Sequence, residues 1–219
     1  MCFSATASFI AGASLTVAGI ASISQVRKPS HLVFACIPLF FGIQQLCEGV
    51  LWLALSGSDY SGWYTPAKYT FLIFAQVIWP FWIPLAFMLI EPLPKRRKII
   101  RSFFFGGIGV SLLLTYRLLF YTTVAHIDGC HIEYNIASPE MIQILTGVLY
   151  IGAIVVAPFF SSWNRSRILA SVNLVSLIIT EVFFDVWFVS VWCFFAAVQS
   201  VLIFLIMREI RVSRVDSGR

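Results

Sequence analysis

Gly42-Ile-Gln-Gln-Leu-Cys-Glu-Gly-Val-Leu-Trp52 decides how the rest of the chain is read. It lies inside an apolar run at about 32–56, long enough to cross a bilayer, since spanning takes about 20 residues at 1.5 Å rise each. Within that run stand two amides and a carboxylate, groups that lipid penalises. Gln44 and Glu48 are four residues apart and Gln45 and Glu48 three apart, so on a helix they share one face. Trp52 extends that face by another turn.

Working outward, six further apolar segments appear, at about 5–24, 67–90, 99–124, 139–161, 167–183 and 185–208. Of 219 residues 59% are hydrophobic and only 11% charged, and the mean hydropathy is +0.89. Soluble domains carry roughly 25% charged residues, so this deficit, spread over the whole length, marks a membrane protein in contact with the lipid bilayer. The expected fold is all-α: one integral membrane domain over 1–219, a seven-transmembrane-helix bundle. The N-terminal stretch has no basic region before its apolar run and is read as the first span, not a signal peptide. Its small residues, including Gly12, Ala18 and Gly19, suit close helix packing.

Charge orients the bundle. Arg27 and Lys28, the group Lys95, Arg96, Arg97, Lys98 and Arg101, then Arg165 and Arg167, and finally Arg208, Arg211, Arg214 and Arg219 all fall at one end. That is thirteen of the fifteen basic residues, so the net charge of +5 is a topology signal and implies no nucleic-acid partner. By the positive-inside rule these loops are cytoplasmic, the N-terminus outside and the C-terminus inside. The sequon-like Asn164-Arg-Ser166 then lies on the cytoplasmic side.

Seven of the ten acids fall at the opposite end, among them Glu48, Glu181 and Asp185. Arg117 is expected at a depth similar to Glu48, about two turns from the outer end of the fourth segment, and paired with Glu48, Glu181 or Asp185. Asn173, Ser176 and Thr180 form a polar stripe with Glu181 on segment six. Trp192 and Gln199 follow Asp185 at heptad spacing on segment seven. Trp79-Pro-Phe-Trp-Ile-Pro84 should kink the third segment, and the carbonyls that two prolines free need partners inside protein or water.

The loop His126-Ile-Asp-Gly-Cys-His-Ile-Glu-Tyr134 admits two readings. It is either a lid packed on the bundle or a metal site in which His126, Cys130 and His131 hold Zn or Cu, the metals that imidazole and thiolate suit. Cys2 begins on the same side as Cys130, so an oxidising exterior permits a disulfide between them. Segment seven has no Lys for a retinal Schiff base, and the spans hold no His for haem. The chain lacks HExxH, GxSxG and phosphate-loop motifs.

The opening Met1-Cys-Phe-Ser-Ala-Thr-Ala-Ser-Phe9 resembles the start of an uncharacterised bacterial membrane-protein family. The resemblance continues through Gly42–Trp52, Trp79–Leu85, Glu91-Pro92 and His131–Tyr134. It implies a multi-pass protein of the bacterial inner membrane and carries no assigned activity.

Three functional expectations follow. The first is a transporter, channel or binding protein for a small polar or cationic ligand. Its outward-opening acidic site would be lined by Gln44, Gln45, Glu48, Trp52, Arg117, Glu181 and Asp185, with the proline kink as a gate. The second is a metal-binding protein or metalloenzyme using the loop His and Cys, with Glu133 or Glu48 as base. The third is a structural subunit, in a homo-oligomer or a membrane complex, whose polar stripes only pack helices.

Overall fold

A computed structural model describes residues 4–217. Among them are seven helices long and apolar enough to cross a membrane. These are α1 (Ala5–Ile23), α2 (Pro29–Ser56), α3 (Asp59–Ile90), α4 (Pro94–Phe120), α5 (Glu140–Phe160), α6 (Asn164–Phe183) and α7 (Phe188–Ser217). A 3-10 turn at Asp185–Trp187 leads into the last. The chain is 84% helical. Short connections make successive spans antiparallel, so one end of the bundle collects the basic loops. The other end carries, among the described residues, the one departure from an all-α fold, an antiparallel hairpin of β1 (Thr123–Asp128) and β2 (His131–Ile136).

The hairpin takes residues that the apolar pattern assigns to the fourth span. That span ends at Phe120, not near 124. The local chemistry explains the break. Thr123-Val-Ala-His-Ile-Asp and His131-Ile-Glu-Tyr-Asn-Ile are β-prone runs around Asp128-Gly129, a turn pair. Gly129 has φ 58°, a backbone conformation glycine adopts without steric cost. The register pairs His126 with Glu133 and Asp128 with His131.

Packing of α1 on α2 rests on small residues. Ser8, Gly12, Gly19 and Ser22 are buried on one stripe of α1. Lipid is as apolar as leucine, so helices in a membrane gain by close backbone approach, which small side chains permit. An aromatic and aliphatic core then fills the middle of the bundle. Phe41 stacks on Trp79 with ring centroids 4.0 Å apart, and Phe34 meets Phe87 edge-on.

The proline-rich part of α3 is wound irregularly. Ile73–Ile78 is π-helical and leads into Trp79–Ile90, which contains Pro84. Carbonyls in this region find side-chain or backbone neighbours, as a bilayer requires. Ala75 O accepts from Tyr150 Oη, and Val77 O accepts from Ser111 Oγ at 2.7 Å. The carbonyl of Pro80 lies against Gly107 of α4, where an added Cβ would sit 1.9 Å from the oxygen. In α5, Gly152–Val156 is π-helical too, just before Pro158. Tyr150, in the regular turn just before this segment, donates to the Ala75 carbonyl of the other.

Candidate functional site

The hairpin is fastened to the bundle by polar and aromatic contacts. Tyr64 Oη donates to Ala125 O at 3.2 Å and accepts from Ala125 N at 2.9 Å. Lys68, buried, donates to Thr123 O at 2.6 Å and lies over the rings of Tyr64 and Tyr69. Tyr134 stacks on Phe71 and His131 on Trp187. Trp187 Nε1 donates to Asp128 Oδ2 at 3.1 Å. The loop is therefore a cover over this end of the bundle.

Beneath it lies a cavity of about 450 Å³. Strand β2 supplies Glu133, Tyr134, Asn135 and Ile136, while Gln76, Arg117, Gln143, Thr146 and Tyr150 come from the helices. Arg117 is its most telling member. Because α4 ends at Phe120, Arg117 sits in the last helical turn rather than two turns deep. A cation there also complements the helix dipole.

The expected ion pair with Glu48, Glu181 or Asp185 is not formed. Arg117 turns toward α5 and the segment before it. Nε donates to Ser138 Oγ at 3.1 Å and an Nη to Thr146 Oγ1 at 3.0 Å. Thr146 Oγ1 in turn donates to Ile142 O at 2.7 Å. Arg117 as a residue is only 8% exposed, and its guanidinium is held by neutral hydroxyls. Among the described residues the two ion pairs are His126–Glu133 and Arg165–Glu209. A guanidinium offers five donors in a fixed fork, and two are accounted for.

The other expected site residues divide. Gln44, Gln45 and Glu48 come together as the helical spacing requires, all fully buried. Gln44 Oε1 accepts from Trp79 Nε1 at 2.8 Å. Glu48 accepts from Ser190 Oγ at 2.7 Å and from Gln45 Nε2 at 3.3 Å. Cys193 packs beside Gln44 and Glu48 and also lines the cavity. The cluster thus stands behind the cavity wall. Trp52 is buried further along α2. Glu181 and Asp185 do not join it. Both are exposed, and Asp185 Oδ1 accepts from Val186 N at the start of its own turn.

The metal candidates are also separated. Among the described residues no three His, Cys, Asp or Glu side chains form a group able to hold an ion. His126 Nε2 pairs with Glu133 across the strands at 3.3 Å. Cys130 is exposed at the turn. His131 packs flat on Trp187, with ring centroids 4.5 Å apart. Burial lowers the His131 pKa, against the opposing pull of Asp128. Cys2, the other half of the expected disulfide, lies outside the described residues.

Sequence reasoning missed Ser138, Thr146, Gln76 and Gln143, the neutral groups around Arg117. The hairpin itself was signalled by Asp128-Gly129 between alternating runs. Nothing local marks Thr146 as a partner 29 residues from Arg117.

Fold and site together define a polytopic helical membrane protein with a cavity of mixed polar and apolar lining beside the hairpin at one end. The chain belongs to a family of unknown function, DUF6629, whose family model matches residues 1–217. No curated protein and no solved structure matches it.

Proposed function

We propose that the protein binds a small organic anion, such as a carboxylate, in the cavity under the hairpin, as a binding or transport protein of the membrane. The single observation behind this is Arg117: a buried guanidinium, held by two neutral hydroxyls, at a cavity of about 450 Å³. A buried cation costs free energy unless its charge is met, and an anion in the cavity would meet it with paired N–H donors. Gln76, Asn135 and Gln143 add amide groups for the rest of the ligand. Glu133, engaged with His126, stands at the same wall and would discriminate against multiply charged anions.

This reading replaces the acidic mouth and its cationic ligand with a cationic anchor. It keeps the outward-facing orientation: the basic loops mark the cytoplasmic end, so the hairpin faces the exterior. Glu48 stays in the account as a neighbour of the cavity wall through Cys193.

Calorimetric titration of the purified protein in detergent with acetate, succinate and methylammonium tests the proposal. We expect a carboxylate to bind and methylammonium not to. Arg117→Gln should weaken carboxylate binding roughly 30-fold, since a hydrogen bond to a charged group contributes about 2 kcal/mol. Arg117→Lys should fall between. Binding of methylammonium alone, or equal carboxylate affinity in a folded Arg117→Gln variant, overturns the proposal.

A further inference from the structure

A second, smaller cavity of about 60 Å³ lies deeper in the bundle, on the basic side of the first. The two share a wall made by Tyr150, Trp192 and Cys193. Most of the inner lining is apolar, yet three buried polar atoms at this cavity have no hydrogen-bond partner: Asn173 Oδ1, Gln199 Oε1 and Trp192 Nε1. Their residues are 9%, 7% and 5% exposed.

The orientation of Gln199 is fixed by its neighbours. Ser176 Oγ donates to Asn173 O at 2.8 Å, so toward Gln199 it acts as an acceptor, and Gln199 Nε2 donates to it at 3.0 Å. The carbonyl oxygen of Gln199 is what remains. Trp79 gives the contrast: its indole N–H, equally buried, is satisfied by Gln44. Orphaned polar atoms at membrane depth are costly, and three around one void are best explained by an occupant. A cavity of about 60 Å³ has room for roughly two waters at their liquid share of about 30 Å³ each.

We infer that the inner cavity is a second binding site, built for a small neutral molecule that donates to the Asn173 and Gln199 carbonyls and accepts from the Trp192 indole. That is the chemistry of a hydroxyl group, in water or in a small polyol. The inference is independent of the Arg117 reading, because the hydrogen bonds of that guanidinium go to Ser138 and Thr146 and to none of these groups.

The test is indole N–H exchange in D₂O, followed by NMR of protein carrying ¹⁵N-indole tryptophan, with Trp79→Phe and Trp192→Phe used for assignment. The Trp192 N–H should exchange at least tenfold faster than the Trp79 N–H. Gln199→Leu, which removes one acceptor and fills space, should slow Trp192 toward Trp79. Adding glycerol distinguishes the two sources. A saturable shift of the Trp192 resonance, lost in Gln199→Leu, assigns a polyol site; fast exchange without that shift assigns a water site. Trp192 exchange as slow as Trp79 with no glycerol shift means a dry cavity and overturns the inference. So does fast exchange that Gln199→Leu leaves unchanged.

Discussion

Both ends of the bundle bury charges, and one charge at the hairpin end is treated differently from the others. At the basic end Glu91 is fully buried and well served. It accepts from Leu93 N at 3.1 Å, from Ser162 N at 2.8 Å and from Ser162 Oγ at 2.7 Å, tying the α3–α4 turn to the α5–α6 turn. Arg97 adds its guanidinium to the Glu91 carbonyl, and Arg96 donates to Ser161 O. At the hairpin end Lys68 is served in the same manner, by one carbonyl and two aromatic faces. Arg117 is the exception, with two hydroxyls and a cavity. A charge whose bonding is completed by the protein has a structural job. A charge left facing space is available to something else.

That contrast can be broken or sharpened by mutation. The largest effect should come from packing at the α3 kink. Gly107→Val places a side chain into the Pro80 carbonyl, a backbone atom that cannot swing aside. Overpacking of this kind costs about 1–3 kcal/mol and sometimes more. We expect most of the protein to be lost to aggregation on size-exclusion chromatography. Glu91→Ala comes next. It strands the Ser162 and Leu93 amides and should cost about 3 kcal/mol, read as a lower thermal midpoint in detergent. If Arg117→Gln lowered that midpoint as much as Glu91→Ala does, Arg117 would be a structural residue and the contrast would fail.

A smaller effect concerns pH. The His131 pKa is lowered by burial, so its folded value lies below the unfolded value of about 6.5. The unfolded state then binds more protons in that window. The docked hairpin is therefore most stable above about pH 6.5 and loses stability as pH falls through it. Emission from Trp187, which His131 stacks on, should shift between pH 7.5 and 5.5, and His131→Phe should remove the shift. The smallest effect is on reactivity. Exposed Cys130 should label with maleimide far faster than buried Cys193 in the folded protein, and labelling at 130 should leave anion binding unchanged.

How much of this was written in the sequence depends on the range of the interaction. The seven spans and the shared face of Gln44, Gln45 and Glu48 come from local periodicity, and the structure has both. The kink at Trp79–Pro84 announced its need for carbonyl partners. Which groups answered, Tyr150 and Ser111, depended on folding. Glu181 and Asp185 were placed by depth alone, and depth does not say which face of a helix a residue occupies. Both ended exposed. The Arg117 partners were hidden for a related reason. A charge suggests an opposite charge, whereas hydroxyls from another element carry no pattern. The Glu91–Ser162 clamp, 71 residues apart, has no local signature either.

The central claim is that Arg117 faces a space an anion can enter. A structure of the protein prepared with 4-bromobenzoate, whose aryl bromide does not alkylate the exposed Cys130 thiol, tests it most directly, because bromine scatters anomalously and can be located without bias. The account predicts an anomalous peak in the cavity under the hairpin, with the carboxylate within hydrogen-bonding distance of the Arg117 guanidinium and no peak there in Arg117→Gln. A cavity without bromine, or one in which a protein carboxylate has turned in to pair with Arg117, would contradict it.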